Sequence, residues 1–128
     1  MRATLIILVA LLVDACTQGA KTHIAQDELL QQLQHARAPL LIDVRSAFEY
    51  EAGHIPGAVH VPFWQAFTSD RLNGHQPSEL LVLYCEHGPR AGIAKWGLSL
   101  QGFQSIMYLE GHMSAWRKAG LPITTDNK

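Results

Sequence analysis

ELLVLYCEHGPRAGIAKWGLSLQG, residues 79 to 102, carries the reading of the fold. The apolar run ending at Tyr84 has the length of a strand buried on both faces. A cysteine follows, then a loop holding Gly88 and Pro89, then helical periodicity from Arg90 to Gln101, with Gly102 as a natural C-terminal cap. Strand, tight turn and helix in immediate succession form one unit of a parallel α/β fold. In that helix Ile93, Trp96, Gly97 and Leu100 share a face, expected to pack on the sheet.

The same alternation extends in both directions. LLIDV, 40 to 44, is a second buried strand, and SIMYL, 105 to 109, a third. A short strand from Ala58 to Val61 follows the turn HIPG. QDELLQQLQHA, 26 to 36, is a helix with Leu29, Leu30 and Leu33 on one face, stopped by Pro39. SAFE, 46 to 49, fits a capping box, in which the Ser46 hydroxyl caps and Glu49 returns to the Ser46 amide. That helix should end near Gly53. FWQAF is a brief helix or loop, NGHQP is a loop, and MSAWRKAG, 113 to 120, is a last short helix. Trp96 and Trp116 are expected in the core, and so are Phe63 and Trp64, unless they wall a pocket.

The chain has 128 residues, the size of one domain, and a formal net charge of -1. A nucleic-acid binder would show a basic face, so no nucleic-acid partner is expected. The two cysteines, Cys16 and Cys85, are too few for a disulfide framework, and there is no C-x-x-C redox pair. Seven histidines are present, but their spacing is not that of metal ligands, so no metal is expected.

Arg2 precedes an apolar run from Ala3 to Val13, which is shorter than the roughly 20 residues a membrane helix needs. The run fits a secretory signal, with Val13 and Ala15 as small residues before a cut. The expected division is a signal at 1–15, a linker at 16–22, one domain at 23–124 and a tail at 125–128. The competing reading is a buried N-terminal helix. Export points to the periplasm. LVDAC also resembles a lipoprotein signal ending in Cys16, although Asp14 stands where a small uncharged residue is usual. Membrane attachment is expected only through lipid on Cys16.

In parallel α/β sheets ligands bind beyond the carboxyl ends of the strands. DVR after Leu41-Ile42, CEHGPR after Tyr84 and EGH after Leu109 converge there. The helix start near Arg90 faces the sulfur of Cys85, and backbone N–H groups of residues 86 to 90 can curl round an anion. The thiolate is the reactive form of cysteine, and such donors favour it. Gly88 suits a tight turn with positive φ. Pro89 has no N–H and suits a helix start. Arg90 can bind an oxyanion or fasten the loop to a carboxylate. Glu86 works against a thiolate beside it and is expected to point into water. His87 can act as a cation or proton donor near neutral pH. A lone cysteine is usually a small buried hydrophobe, but simple packing does not call for EHGPR behind Cys85.

LIDVRSAFEYEAGHIPGAVHVP, LVLYCEHGPRA and YLEGHMSAWRKAGLPI together resemble a single-domain rhodanese, a sulfurtransferase, over residues 23 to 124. The resemblance implies a three-layer α/β/α fold around a five-stranded parallel sheet, with Cys85 as the sulfur-accepting nucleophile. It implies a cycle in which Cys85 takes sulfur from a donor such as thiosulfate. The sulfur is then passed to cyanide, a thiol or a protein, with no metal or organic cofactor. Glu86, His87, Gly88, Pro89 and Arg90 form the anion loop, and Asp43, Arg45 and His112 support it.

Three departures matter. A basic residue often follows the cysteine, where Glu86 stands here, so thiosulfate is in doubt as the best donor and Glu86→Arg is expected to speed its turnover. EGG before the last helix is EGH here, so His112 is expected at the pocket rim as a source of positive charge. Ala47 replaces a common proline. Two other functions compete. A cysteine phosphatase has a loop one residue longer, whereas four residues separate Cys85 from Arg90. A non-catalytic or slow persulfide-carrying module would keep the fold without turnover.

Overall fold

The computed structural model describes residues 20–36 and 38–127. The signal expected at 1–15 and Cys16 lie outside the described residues. The strands are β1 (His23–Ile24), β2 (Leu40–Asp43), β3 (Val59–His60), β4 (Leu80–Tyr84) and β5 (Ser105–Leu109). The helices are α1 (Gln26–Gln34), α2 (Ala47–Ala52), α3 (Pro89–Leu100) and α4 (His112–Lys118), with a 3-10 turn at Phe63–Gln65.

All five strands are parallel, in the order β1-β5-β4-β2-β3. β4 is central and almost wholly apolar, because helices cover both of its faces. Alternate residues supply two cores. Leu81 and Leu83 pack with Ile42, Val44 and the Ala91, Ala94 and Leu98 face of α3. Val82 and Tyr84 face the other way, onto Leu29 of α1, Tyr50 of α2, and Met113 and Trp116 of α4. The expected α/β/α architecture with a five-stranded parallel sheet is therefore what forms.

Local signals explain the element boundaries. Ser46 Oγ accepts the Glu49 N–H at 3.3 Å and Glu49 Oε2 accepts the Ser46 N–H at 3.0 Å, so the capping box forms as read. Gly53, with φ 152°, ends α2, and its missing Cβ leaves room for Ile123. Trp116 is fully buried, and its Nε1 donates to Pro122 O at 2.8 Å.

The apolar face read for α3 is corrected. Ile93, Trp96 and Leu100 are exposed, while Ala91, Ala94, Gly97 and Leu98 are buried. The small residues let α3 come close to the 3-10 segment: a Cβ on Gly97 would lie 2.9 Å from the Ala66 carbonyl carbon. Large side chains on that face would hold the helix off, so they lie outside it. Trp96 is therefore not core; it is exposed and forms a T-shaped pair with Phe67, at 5.3 Å between ring centroids. Trp64 is also exposed, whereas Phe63 packs partly against the core. The two-residue β1 was not separable from its polar surroundings in sequence, and β3 is shorter than the Ala58–Val61 run.

Candidate active site

The segments after β2, β4 and β5 meet at the carboxyl edge of the sheet, as the alternation implied. Cys85 follows the last residue of β4 and is buried. Gly88 adopts φ 131° at the N-cap of α3, a conformation that favours glycine, and Pro89 opens the helix. This turn brings the Gly88 N–H to 2.9 Å from Cys85 Sγ. That donor stabilises negative charge on the sulfur. Among the described residues, the N–H groups of Glu86, His87 and Arg90 have no protein acceptor. Such amides can donate to an anion, and His87 stands exposed beside them.

Arg90 closes the loop on Glu49. Its Nη1 and Nη2 donate to Glu49 Oε2 and Oε1 at 2.6 and 2.8 Å, a two-pronged pair. Of the two roles open to Arg90 in sequence, fastening the loop to a carboxylate is the one it adopts. Its guanidinium hydrogen bonds, opposed by some desolvation, hold the Glu49 pKa at about 2. Glu49 thus serves α2 through Ser46 and the active loop through Arg90.

Asp43 and Arg45 are buried together beneath the loop. Arg45 Nε lies 3.0 Å from Asp43 Oδ1, Nη2 lies 2.7 Å from Oδ2, and Nη2 also reaches Gly53 O at 2.7 Å. Arg45 Nη1 extends to Glu86 Oε2 at 3.3 Å. Their place is structural bracing, as a buried charge with its partner requires.

Glu86 does not point into water. Its side chain is only 22% exposed and is held between Arg45 and Arg117, whose Nη1 donates to Oε1 at 2.6 Å. Burial works to raise its pKa, but the bonds and charges of Arg117 and Arg45 outweigh this and hold it below the usual carboxylate value. With Arg45 buried behind it, an arginine at position 86 would face like charge. Glu86→Arg would therefore carry a cost in stability beside any effect on an anionic donor. Arg117 escaped the sequence reading because nothing in helical spacing marks it as the partner of a loop on another element.

His112 is not a positive group at the rim. It is buried, and its Nδ1 accepts the Cys85 N–H at 3.2 Å, which places the ring proton on Nε2. Burial first, then the nearby charges of His23 and His87, push its pKa below the ordinary imidazole value. The next two residues of α4 continue the docking: Met113 N–H donates to Cys85 O at 3.0 Å and Ser114 N–H to Glu86 O at 3.1 Å. The helix start is thus engaged by the loop backbone.

Asp43, Glu49 and Glu86 balance Arg45, Arg90 and Arg117 one for one around the loop. The site combines a cysteine, a backbone N–H at its sulfur, further loop amides without a protein acceptor among the described residues, and a charge-balanced frame. Such a set is chemically able to serve covalent chemistry on a small anion or a sulfur atom.

A parallel α/β domain with a cysteine loop between the central strand and a helix start defines the class. The chain belongs to the rhodanese-like family: the Rhodanese-like domain model matches residues 25–119. It is 32% identical over 100 residues to a sulfurtransferase of Allochromatium vinosum, covering 78% of this chain and 92% of that one. It is 38% identical over 97 residues to an uncharacterized protein of Synechocystis, covering 73% of this chain and 51% of that protein. The chain therefore spans about half the length of that relative. The fold is also that of a thiosulfate sulfurtransferase from Pseudomonas aeruginosa, with a TM-score of 0.72 at 21% identity over 82% of this chain and 20% of that one. Family and relatives together support a role in sulfur transfer.

Proposed function

We propose that this chain is a sulfurtransferase in which Cys85 carries sulfane sulfur as a persulfide. The observation that carries the reading is the Gly88 N–H at 2.9 Å from Cys85 Sγ, in a loop whose neighbouring amides have no protein acceptor among the described residues. The Cys85 thiolate attacks the outer sulfur of the donor. With thiosulfate, the S–S bond breaks, sulfite departs with the bonding pair, and Cys85–S–S⁻ remains. Cyanide then attacks the outer sulfur, thiocyanate leaves, and the thiolate is restored. The loop amides hold the negative charge in both states.

The balanced charges around the loop give no strong attraction for a dianion. A persulfide donor, R–S–SH, needs none: the Cys85 thiolate takes its outer SH, and R–S⁻ leaves. We therefore place small-molecule or protein persulfides ahead of thiosulfate as donors, and a thiol or protein as the acceptor. The apolar run from Ala3 to Val13 supports an exported, periplasmic protein, with lipid on Cys16 as the means of any membrane attachment.

Phosphatase chemistry is disfavoured by the short loop and by Arg90, whose two-pronged face is given to Glu49. The test is a comparison of thiocyanate production from thiosulfate and from a glutathione persulfide donor, with Cys85→Ser as control and p-nitrophenyl phosphate as a counter-substrate. Faster turnover with the persulfide, abolished in Cys85→Ser, supports the reading. Turnover retained in Cys85→Ser, or phosphate release in place of sulfur transfer, sinks it. A persulfide that loads but does not turn over would make the chain a carrier.

A further inference from the structure

His112 has three unusual properties at once. It is a non-glycine residue with φ 54°, it is 8% exposed, and its ring takes the backbone N–H of the proposed nucleophile. The ring also lies beneath the loop: a Cβ on Gly88 would sit 3.2 Å from His112 Nε2. One imidazole therefore accepts a hydrogen bond at one end of the turn from Cys85 to Gly88 and fills the space where a side chain at the other end would lie. Gly88 in turn supplies the N–H that faces Cys85 Sγ.

The acceptor at Nδ1 exists only in the neutral ring. Protonation there replaces an acceptor with a donor, aimed at another donor, the Cys85 N–H. The surroundings also oppose a cation. His23 of β1 and His87 of the loop act against it, and the N-terminal end of α4, where His112 is the first residue, is the positive end of the helix dipole. Tyr108 of β5 approaches with ring centroids 6.3 Å apart, and Lys95 of α3 stands over that same Tyr108 ring. The carboxylate of Glu86, the nearest acidic group of the loop, is already held by Arg45 and Arg117.

We propose that His112 is a positioning residue for sulfur transfer, whose neutral imidazole anchors the Cys85 amide to α4 and supports Gly88, and whose protonation releases the loop. This rests on the reading of Cys85 as the sulfur carrier. Its consequence is an acid limit on transfer set by a residue that touches neither donor nor acceptor. The variants follow from the backbone. His112→Gly keeps the positive φ and removes the acceptor. His112→Asn tolerates the same φ, and its Oδ1 can take the place of Nδ1 without titrating near neutrality.

The experiment measures the rate at which Cys85 gains sulfur from glutathione persulfide between pH 5 and 8, by quenched intact mass. In parallel, the ring nitrogens of His112 and the Cys85 amide are followed by NMR. The full chain is used throughout. His112→Gly should load sulfur slower by on the order of tenfold at pH 8, the scale of a lost hydrogen bond to a buried amide. His112→Asn should recover most of that rate and lose the acid decline associated with the ring. In the unaltered protein the Cys85 amide should shift in step with His112 protonation. Loading that is indifferent to His112→Gly, or an amide blind to the ring's titration, overturns the proposal and leaves the role of Cys85 intact. No loading in the unaltered protein overturns the sulfur-carrier reading and this proposal together.

Discussion

Arg90 grips Glu49 with two hydrogen bonds of 2.6 and 2.8 Å, and so ties the start of α3 to the capping box of α2. The loop bearing Cys85 is closed by this pair on one side and by α4 on the other. The cysteine is thus held by elements from three strand-to-helix crossings.

Replacing Glu49 by Gln isolates that grip, because glutamine still serves a capping box. Glu49→Gln should lose about 1 kcal/mol of stability at pH 7, a figure kept low because both partners are partly exposed. The folded pKa of about 2 lies below the ordinary value of 4.5. The stabilisation is therefore full above about pH 4.5 and is lost as pH falls toward 2. Urea unfolding at pH 7 and at pH 3 should show the gap between the two proteins narrowing on the acid side.

The buried Asp43–Arg45 pair predicts a larger effect. Both side chains are at most 1% exposed, so Asp43→Asn leaves Arg45 with a neutral partner in a dry site. We expect a loss of about 3 kcal/mol, seen as a lower urea midpoint with an unchanged slope. A change under 1 kcal/mol would mean that Glu86 and Gly53 O suffice to hold Arg45.

Glu86→Gln keeps a hydrogen-bonding group between Arg45 and Arg117 but leaves the loop with a net positive charge. For a dianion this is worth about 1 kcal/mol at low salt, or about fivefold. Sulfur loading from thiosulfate should quicken by that order and lose the advantage in salt, while loading from a neutral persulfide changes little. Glu86→Arg should instead lower stability, since it sets a guanidinium against the buried Arg45. Equal responses of the two donors to Glu86→Gln would remove charge as the basis of donor choice.

Gly97→Ala tests the close approach of α3. The new methyl would meet the backbone of Ala66 at 2.9 Å and the Phe67 ring at 3.0 Å. A gain in helix propensity is outweighed by this overlap, and we expect destabilisation by about 2 kcal/mol, measured by thermal or urea unfolding. A more stable variant would contradict the packing described for this face.

β2, β4 and β5 are legible in sequence because they are buried apolar runs, while the two-residue β1 is not, and the Ser46–Glu49 box is legible because its signal is local. Cys85, Gly88 and Pro89 were readable as a turn for the same reason. Partners across elements were not. Glu49 looked like a cap only, Glu86 looked solvated, and Arg117 gave no sign, since ion pairs between separate loops and helices leave no periodic trace. The buried face of α3 is not the most hydrophobic one, so hydrophobicity alone points to the wrong side. Close helix approach favours Ala and Gly, and it leaves Trp96 and Leu100 outside. His112 stands out in sequence as a departure, but its charge state follows from burial and from the Cys85 N–H, which only the folded chain supplies.

Whether Cys85 carries sulfur is read from the intact mass of the protein after exposure to glutathione persulfide, before and after cyanide. The protein should gain one sulfur atom on Cys85, removed by cyanide and absent in Cys85→Ser. A protein whose mass does not change, or a Cys85→Ser variant that gains the same atom, would contradict that role for Cys85.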